Sequence, residues 1–128
     1  MPVSKPWSCT RSSRADAIQL VPSKQDPTKV DYSTVQRAWW DAILKAYEHS
    51  KDCPQRMPLE IRIMGGSDMI MAPQRGNSLG TAAIEILTLQ SAVDIWQPYA
   101  QEVLDKWMSY TDADGKKLTT KPHWAKEW

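Results

Sequence analysis

Phenylalanine is absent from this chain of 128 residues, cysteine occurs twice and glycine five times, so the aromatic content rests on seven tryptophans and four tyrosines. Each scarcity excludes something. Cys9 and Cys53 lie far apart and outside any metal-ligand spacing, which leaves free thiols rather than a disulfide framework or a zinc site. The glycines form neither a GxGxxG nor a GxxxxGK pattern, so no phosphate-cradling loop is present. No apolar run approaches the ~20 residues of a membrane helix, and Met1-Pro2-Val3-Ser4-Lys5 has no apolar stretch behind it to act as a secretory signal. An excess of one charge is also missing. Sixteen Lys and Arg against fifteen Asp and Glu give a net charge of +1, no electrostatic footprint for nucleic acid or an anionic membrane. The chain reads as soluble, with a small or neutral ligand as the expected partner.

What is present supports one domain with one core, since a chain of this size with 41% hydrophobic residues buries roughly two-thirds of its unfolded surface. Trp39, Trp96 and Trp107 are read as core, the usual place for a large apolar ring. A strand is expected from Ala15 to Val21, after the polar Cys9–Arg14 stretch and before Pro22. The prolines, lysines and aspartates of residues 22–31 break any regular element, and Ser33-Thr34-Val35-Gln36 has capping-box spacing, so a helix should begin there. Val35, Ala38, Trp39, Ala42, Ile43, Ala46 and Tyr47 fall on one buried stripe, with Arg37, Asp41, Lys45 and Glu48 opposite. His49 suits the negative end of that helix better than a ligand role, and Pro54 stops the helix soon after.

Pro58–Met64 alternates strictly. Leu59, Ile61 and Ile63 share one strand face, and Glu60 and Arg62 share the other. Taken alone, that charged face is a solvent-exposed ion pair of little energetic value. Gly65-Gly66 ends the strand. A long connection follows to Gly80, of a length that is functional or disordered in compact domains, and its Met69, Ile70 and Met71 argue against disorder. Thr81–Leu89 should return antiparallel, packing Ile84 and Ile86 and turning Glu85 and Leu87 toward the face of Glu60 and Arg62. A second helix is expected from about Gln97, with Pro98 at its first position, to about Ser109, burying Trp96, Ala100, Val103, Leu104 and Trp107. Asp112-Ala113-Asp114-Gly115 makes a turn; it lacks the third early carboxylate and the late glutamate of a calcium loop, and no metal is assigned. Lys116–Thr120 leads as a short extended piece into Lys121-Pro122-His123-Trp124-Ala125-Lys126-Glu127-Trp128. The order strand, helix, strand, strand, helix predicts an α+β fold, a mostly antiparallel sheet with helices packed on one face.

Pro58-Leu59-Glu60-Ile61-Arg62, followed after a loop, a strand and a helix by Pro122-His123-Trp124-Ala125-Lys126, resembles the C-terminal cap portion of the sugar-lactone and alditol oxidases. These are flavoproteins of the vanillyl-alcohol-oxidase class, the D-arabinono-1,4-lactone and L-gulonolactone oxidases among them. The resemblance spans most of the chain. It implies an FAD-dependent oxidoreductase that oxidises a CH–OH group of a sugar lactone or polyol, with a hydride going to the flavin and a proton to a base. It further implies that Lys126 stabilises the anionic reduced flavin, Arg62 binds the substrate oxygen, Glu60 orients Arg62 and hydrogen-bonds the polyol, and His123 contacts substrate or accepts the proton. Glu85 joins the substrate-binding set from strand facing alone.

The family's FAD-binding domain has no counterpart here. The expectation is therefore a fragment: residues 1–128 as a single, partial C-terminal substrate domain, inactive by itself, whose FAD-binding partner lies in cis in the full-length protein. Some relatives are membrane-associated. The residues also allow a second reading, a small α+β interaction module without catalytic activity, in which Glu60, Arg62 and Glu85 form a surface ion network and His123–Trp128 is a tail.

Overall fold

The computed structural model describes residues 11–123 and 126. Its elements in chain order are strands β1 (Arg11–Gln19), β2 (Val21–Pro22) and β3 (Val30–Asp31), helix α1 (Ser33–Glu48), strands β4 (Glu60–Met64) and β5 (Thr81–Leu89), helix α2 (Val93–Met108) and strand β6 (Thr120–Pro122). The alternation in β5 organises the rest. Ala82, Ile84 and Ile86 are fully buried on one face, and β5 pairs antiparallel with β1 on one side and β4 on the other. β6 then adds to the far edge of β1, giving a four-stranded antiparallel sheet in the order β4-β5-β1-β6.

Both helices cover the isoleucine face. Ile18, Ile84 and Ile86 form one cluster with Ala38 and Ala42 of α1 and with Trp96, Tyr99, Val103 and Trp107 of α2. The small side chains at Ala38 and Ala42, one helical turn apart, let two aromatic rings reach the α1 backbone. Trp107 Nε1 donates to the Ala38 carbonyl at 2.9 Å and Tyr99 Oη to the Ala42 carbonyl at 3.0 Å. The polar atoms of these two buried rings are thereby satisfied, and burial pushes the Tyr99 phenol up to about 12. The α+β architecture with a mostly antiparallel sheet is the one expected from the sequence.

Several details differ. β1 begins at Arg11, not Ala15, because the polar residues before Ala15 find partners within the fold. Ser12 Oγ donates to Gln90 Oε1 at 3.2 Å, and Arg14 Nη1 donates to Gln101 Oε1 at 2.9 Å. Residues 21–31 contain a two-residue β2–β3 ladder where only irregular chain was expected from residue 22 onward, closed by the Ser23 N–H on the Lys29 carbonyl. α1 starts at Ser33 as expected but has no side-chain capping bond; Asp31 Oδ1 instead accepts the Ser33 N–H at 2.9 Å. α2 starts four residues early, after a 3-10 turn at Gln90–Ala92, and Pro98 lies inside it. Proline forfeits one helical hydrogen bond there, and the burial of Ala92 and Trp96 upstream outweighs it. Tyr47 projects into solvent instead of joining the buried stripe. On β4, Ile61 and Ile63 are 39% and 51% exposed, because the helical layer stops short of this edge strand. His49 caps the C-terminus of α1 and lies 3.2 Å from Glu102 of α2, a helix-end role as expected.

Candidate functional site

Among the described residues, the opposite face of the sheet bears no helix. Its floor is built from Ala15 and Ala17 of β1 and Ala83 of β5, which the register sets side by side: Ala17 opposite Ala83, and Ala15 opposite Glu85. A methyl on each strand leaves a flat surface of low relief. β4 continues the same face, with Glu60 opposite Glu85 and Arg62 opposite Ala83. The alternation that buries Ile84 and Ile86 therefore lifts Glu60, Arg62 and Glu85 onto this floor.

The long connection between β4 and β5 forms a wall. It folds back closely on itself, since a Cβ at Gly66 would run into the Asn77 carbonyl. Asn77 Nδ2 donates to Thr81 Oγ1 at 2.8 Å, and Lys121 Nζ of β6 donates to the Arg75 carbonyl at 2.8 Å. Pro73 and Gln74 thereby stand beside Met64 against a cavity of about 350 Å³. Twelve residues past the end of α2, the chain returns as β6. The His123 N–H donates to the Ala15 carbonyl at 2.8 Å, extending the ladder by one residue, and the Lys126 N–H donates to the His123 carbonyl at 3.0 Å. That turn carries Lys126 back over the sheet, where Nζ meets Glu85 Oε1 at 2.9 Å.

All five residues singled out in the sequence, Glu60, Arg62, Glu85, His123 and Lys126, line this one cavity. Trp124 and Ala125 of the same motif lie outside the described residues. Sequence reasoning missed the alanine floor and the Pro73–Gln74 wall. The Ala15-Asp16-Ala17 triplet was the available signal, because small residues two apart in a strand let another chain segment or a ligand approach that face closely. Asp16 was missed as well. It sits at the base of the cavity but alternates toward the helices together with Arg14 and Ile18, and it is 2% exposed. Its Oδ2 has no hydrogen-bond partner among the described residues. Burial pushes its carboxyl up to about 6, partly opposed by the Arg14 guanidinium.

The two ion pairs on the floor are unequal. Arg62 Nη2 to Glu60 Oε2 spans 3.3 Å with side chains 72% and 45% exposed, whereas the Lys126–Glu85 pair is 28% and 13% exposed. Solvent screens the first pair strongly and the second, less exposed pair much less. Glu60 and Glu85 are directly opposed across the ladder, a like-charge arrangement that each offsets with its own cation. Lys126→Met should therefore destabilise the fold by about 1–2 kcal/mol, by leaving a mostly buried carboxylate facing another. Chemical denaturation should show the loss and its recovery in Lys126→Met/Glu85→Gln; equal stability of Lys126→Met and the parent chain would mean the pair carries nothing.

Comparison of the chain with protein-family models, with characterised proteins and with solved structures finds no match. Among the described residues no helix is long and apolar enough to cross a membrane, and no group of three or more His, Cys, Asp or Glu side chains is arranged to hold a metal ion.

Proposed function

We propose that this chain supplies the substrate-binding face of an FAD-dependent oxidoreductase that oxidises a CH–OH group of a sugar lactone or polyol. The observation that carries the reading is the convergence of Glu60, Arg62, Glu85, His123 and Lys126 on one alanine-floored cavity. A flat floor of methyl groups with a cation at its edge suits a planar ring system that accumulates negative charge, so the residues fit a flavin. When bound, FAD would supply the hydride acceptor. Its phosphates and adenine would be held by an FAD-binding domain in cis, the partner this reading requires.

The chain's own residues would divide the work on the substrate. Arg62, with several donors in a planar fork, would bind the hydroxyl or ring oxygens of the lactone, and Glu60, 3.3 Å away, would orient it and accept from a neighbouring hydroxyl. Glu85 would accept from a second hydroxyl while holding Lys126 Nζ in position at 2.9 Å. His123, fixed at the end of β6 by its main-chain bond to Ala15, would take the carbinol proton on its imidazole. Lys126 would present its positive charge to the acceptor ring.

The test uses the chain alone. In a backbone NMR titration with an aldono-1,4-lactone and, separately, with lumiflavin as the bare ring, both ligands should shift the amides of Ala15, Ala17, Ala83 and Glu85. Arg62→Ala should weaken the lactone response about tenfold, the loss of a charged hydrogen bond, and leave the lumiflavin response in place. Amides that stay unmoved at millimolar lactone and saturating lumiflavin would overturn the reading and leave the non-catalytic interaction module.

A further inference from the structure

β4 is an edge strand: it pairs only with β5, and no other main-chain hydrogen bond reaches Glu60–Met64 among the described residues. An open strand edge is a template for another strand, and proteins usually blunt it with prolines, bulges or repelling charges such as a run of lysines, whereas the charges of β4, Glu60 and Arg62, are of opposite sign. β4 has none of these within Glu60–Met64. Beneath it, Ile61 and Ile63 are half exposed, and the neighbouring outer face of α1 carries Trp40, Leu44 and Tyr47, each more than half exposed. Trp40 and Ile61 line one shallow apolar groove that joins the two surfaces. Edge and patch together form a single border that no described residue covers.

The sequence of β4 says what fits it. Two copies of a strand related by a two-fold axis pair antiparallel, each residue opposite a fixed partner. With the axis through Ile61, Glu60 of one copy stands opposite Arg62 of the other, twice over. The same register sets Ile61 against Ile61 and Ile63 against Leu59, so every apolar residue on the helix side meets another. The next registers that keep the faces aligned fail on charge: an axis through Glu60 opposes two carboxylates, and one through Arg62 opposes two guanidinium groups.

We propose that the chain forms a two-fold dimer through β4, pairing in the Ile61-centred register into a continuous eight-stranded antiparallel sheet. The occupant of the edge is a second copy. Trp40, Leu44 and Tyr47 of the two α1 helices flank the axis below the sheet and lose their exposure, the aromatic anchoring common at interface centres. Above the sheet, Arg62 of the second copy stands beside Glu60 at the rim of the alanine-floored cavity, so each cavity borders its symmetry mate. The proposal does not depend on the flavin reading, because its readout is association and no lactone or cofactor enters it.

Charge reversal provides the test. In sedimentation equilibrium over a concentration series, the parent chain should be dimeric, and Glu60→Arg or Arg62→Glu alone should each weaken the dimer at least ~100-fold by setting like charges opposite each other. The double variant Glu60→Arg/Arg62→Glu should dimerise again, because the register stays complementary. Mixing the two single variants should produce a heterodimer, since one strand is then wholly basic and the other wholly acidic. The mixing arm also shows that the single variants are folded. A parent chain that stays monomeric at several hundred micromolar would overturn the proposal and leave the edge to a different protein. So would a dimer indifferent to both reversals, which would place the interface elsewhere, and single variants that fail to associate when mixed.

Discussion

Trp107→Ala should cost about 3–5 kcal/mol of stability, a large part of the roughly 5–15 kcal/mol that holds a domain of this kind together. Trp107 is fully buried among residues of both helices and the sheet, and its indole N–H is the bond from α2 to the Ala38 carbonyl of α1. Removing the ring opens a cavity where three layers of contact meet, and the surrounding side chains belong to fixed elements that collapse only partly. The milder Trp107→Phe keeps most of the apolar area and loses the hydrogen bond, for an expected ~1–2 kcal/mol. Trp96→Phe provides the contrast. Trp96 is equally buried, but its indole N–H has no partner among the described residues, so phenylalanine there removes an unsatisfied donor and should cost less than Trp107→Phe. Urea denaturation followed by far-ultraviolet circular dichroism measures all three. A loss below about 1 kcal/mol for Trp107→Ala would contradict the packing of α2 against α1.

The absence of phenylalanine makes these positions unusually legible. With only tryptophan and tyrosine available for large rings, each core aromatic brings a polar atom: Trp107 and Tyr99 find main-chain carbonyls, Tyr110 finds the Asp41 carboxylate, and Trp96 finds no partner among the described residues. Ala38 and Ala42 are placed where such acceptors can be reached. The strands β4 and β5 were readable because each alternates an aliphatic set with a charged or small one, and that period of two is a direct consequence of the pleat. The first half of β1 was not readable. Ser12 and Arg14 look like loop residues in the sequence, yet both are buried on the helix side, and their acceptors, Gln90 and Gln101, lie more than seventy residues away. Local pattern carries no information about a partner at that distance. The early start of α2 is a similar case, since burial of Trp96 overrides the preference of Pro98 for a first position.

The candidate site divides along the same line. Glu60, Arg62 and Glu85 could be placed on a common face from alternation alone, and the ladder confirms their register. That His123 and Lys126 lie over the same face depends on β6 pairing with β1 across about a hundred residues of chain, which no spacing within the motif encodes. The edge character of β4 was also hidden. Leu59, Ile61 and Ile63 have the pattern of a packed face, and the pattern is the same whether a helix or a second molecule covers it.

Stability should fall as pH rises from about 4 to about 6, and Asp16 is the reason. Its carboxyl titrates near its ordinary 3.8 in the unfolded chain and at about 6 in the folded one, because burial penalises the anion more than the Arg14 guanidinium supports it. Between those values the folded state holds a proton that the unfolded state has released, so each step upward in pH favours unfolding until both are ionised. A difference of roughly two units corresponds to about 3 kcal/mol, fully expressed above pH ~6. Other carboxylates act in the opposite sense and at lower pH. Asp31 is held below its usual range by the Ser33 N–H, and Glu102 by His49 and Lys45, so their contributions disappear only as pH drops through those lowered values. The expected profile therefore peaks on the acid side of neutrality. Asp16→Asn removes the ionisation while nearly preserving shape, and it should raise stability only modestly at pH 4.5, by about 1 kcal/mol, and more at pH 7.5, by an amount of order 2–3 kcal/mol. Urea midpoints for parent and variant at the two pH values decide the matter. A parent chain equally stable at both, with no gain from Asp16→Asn at pH 7.5, would show that the buried carboxyl is solvated or paired and does not bear the strain that its surroundings impose.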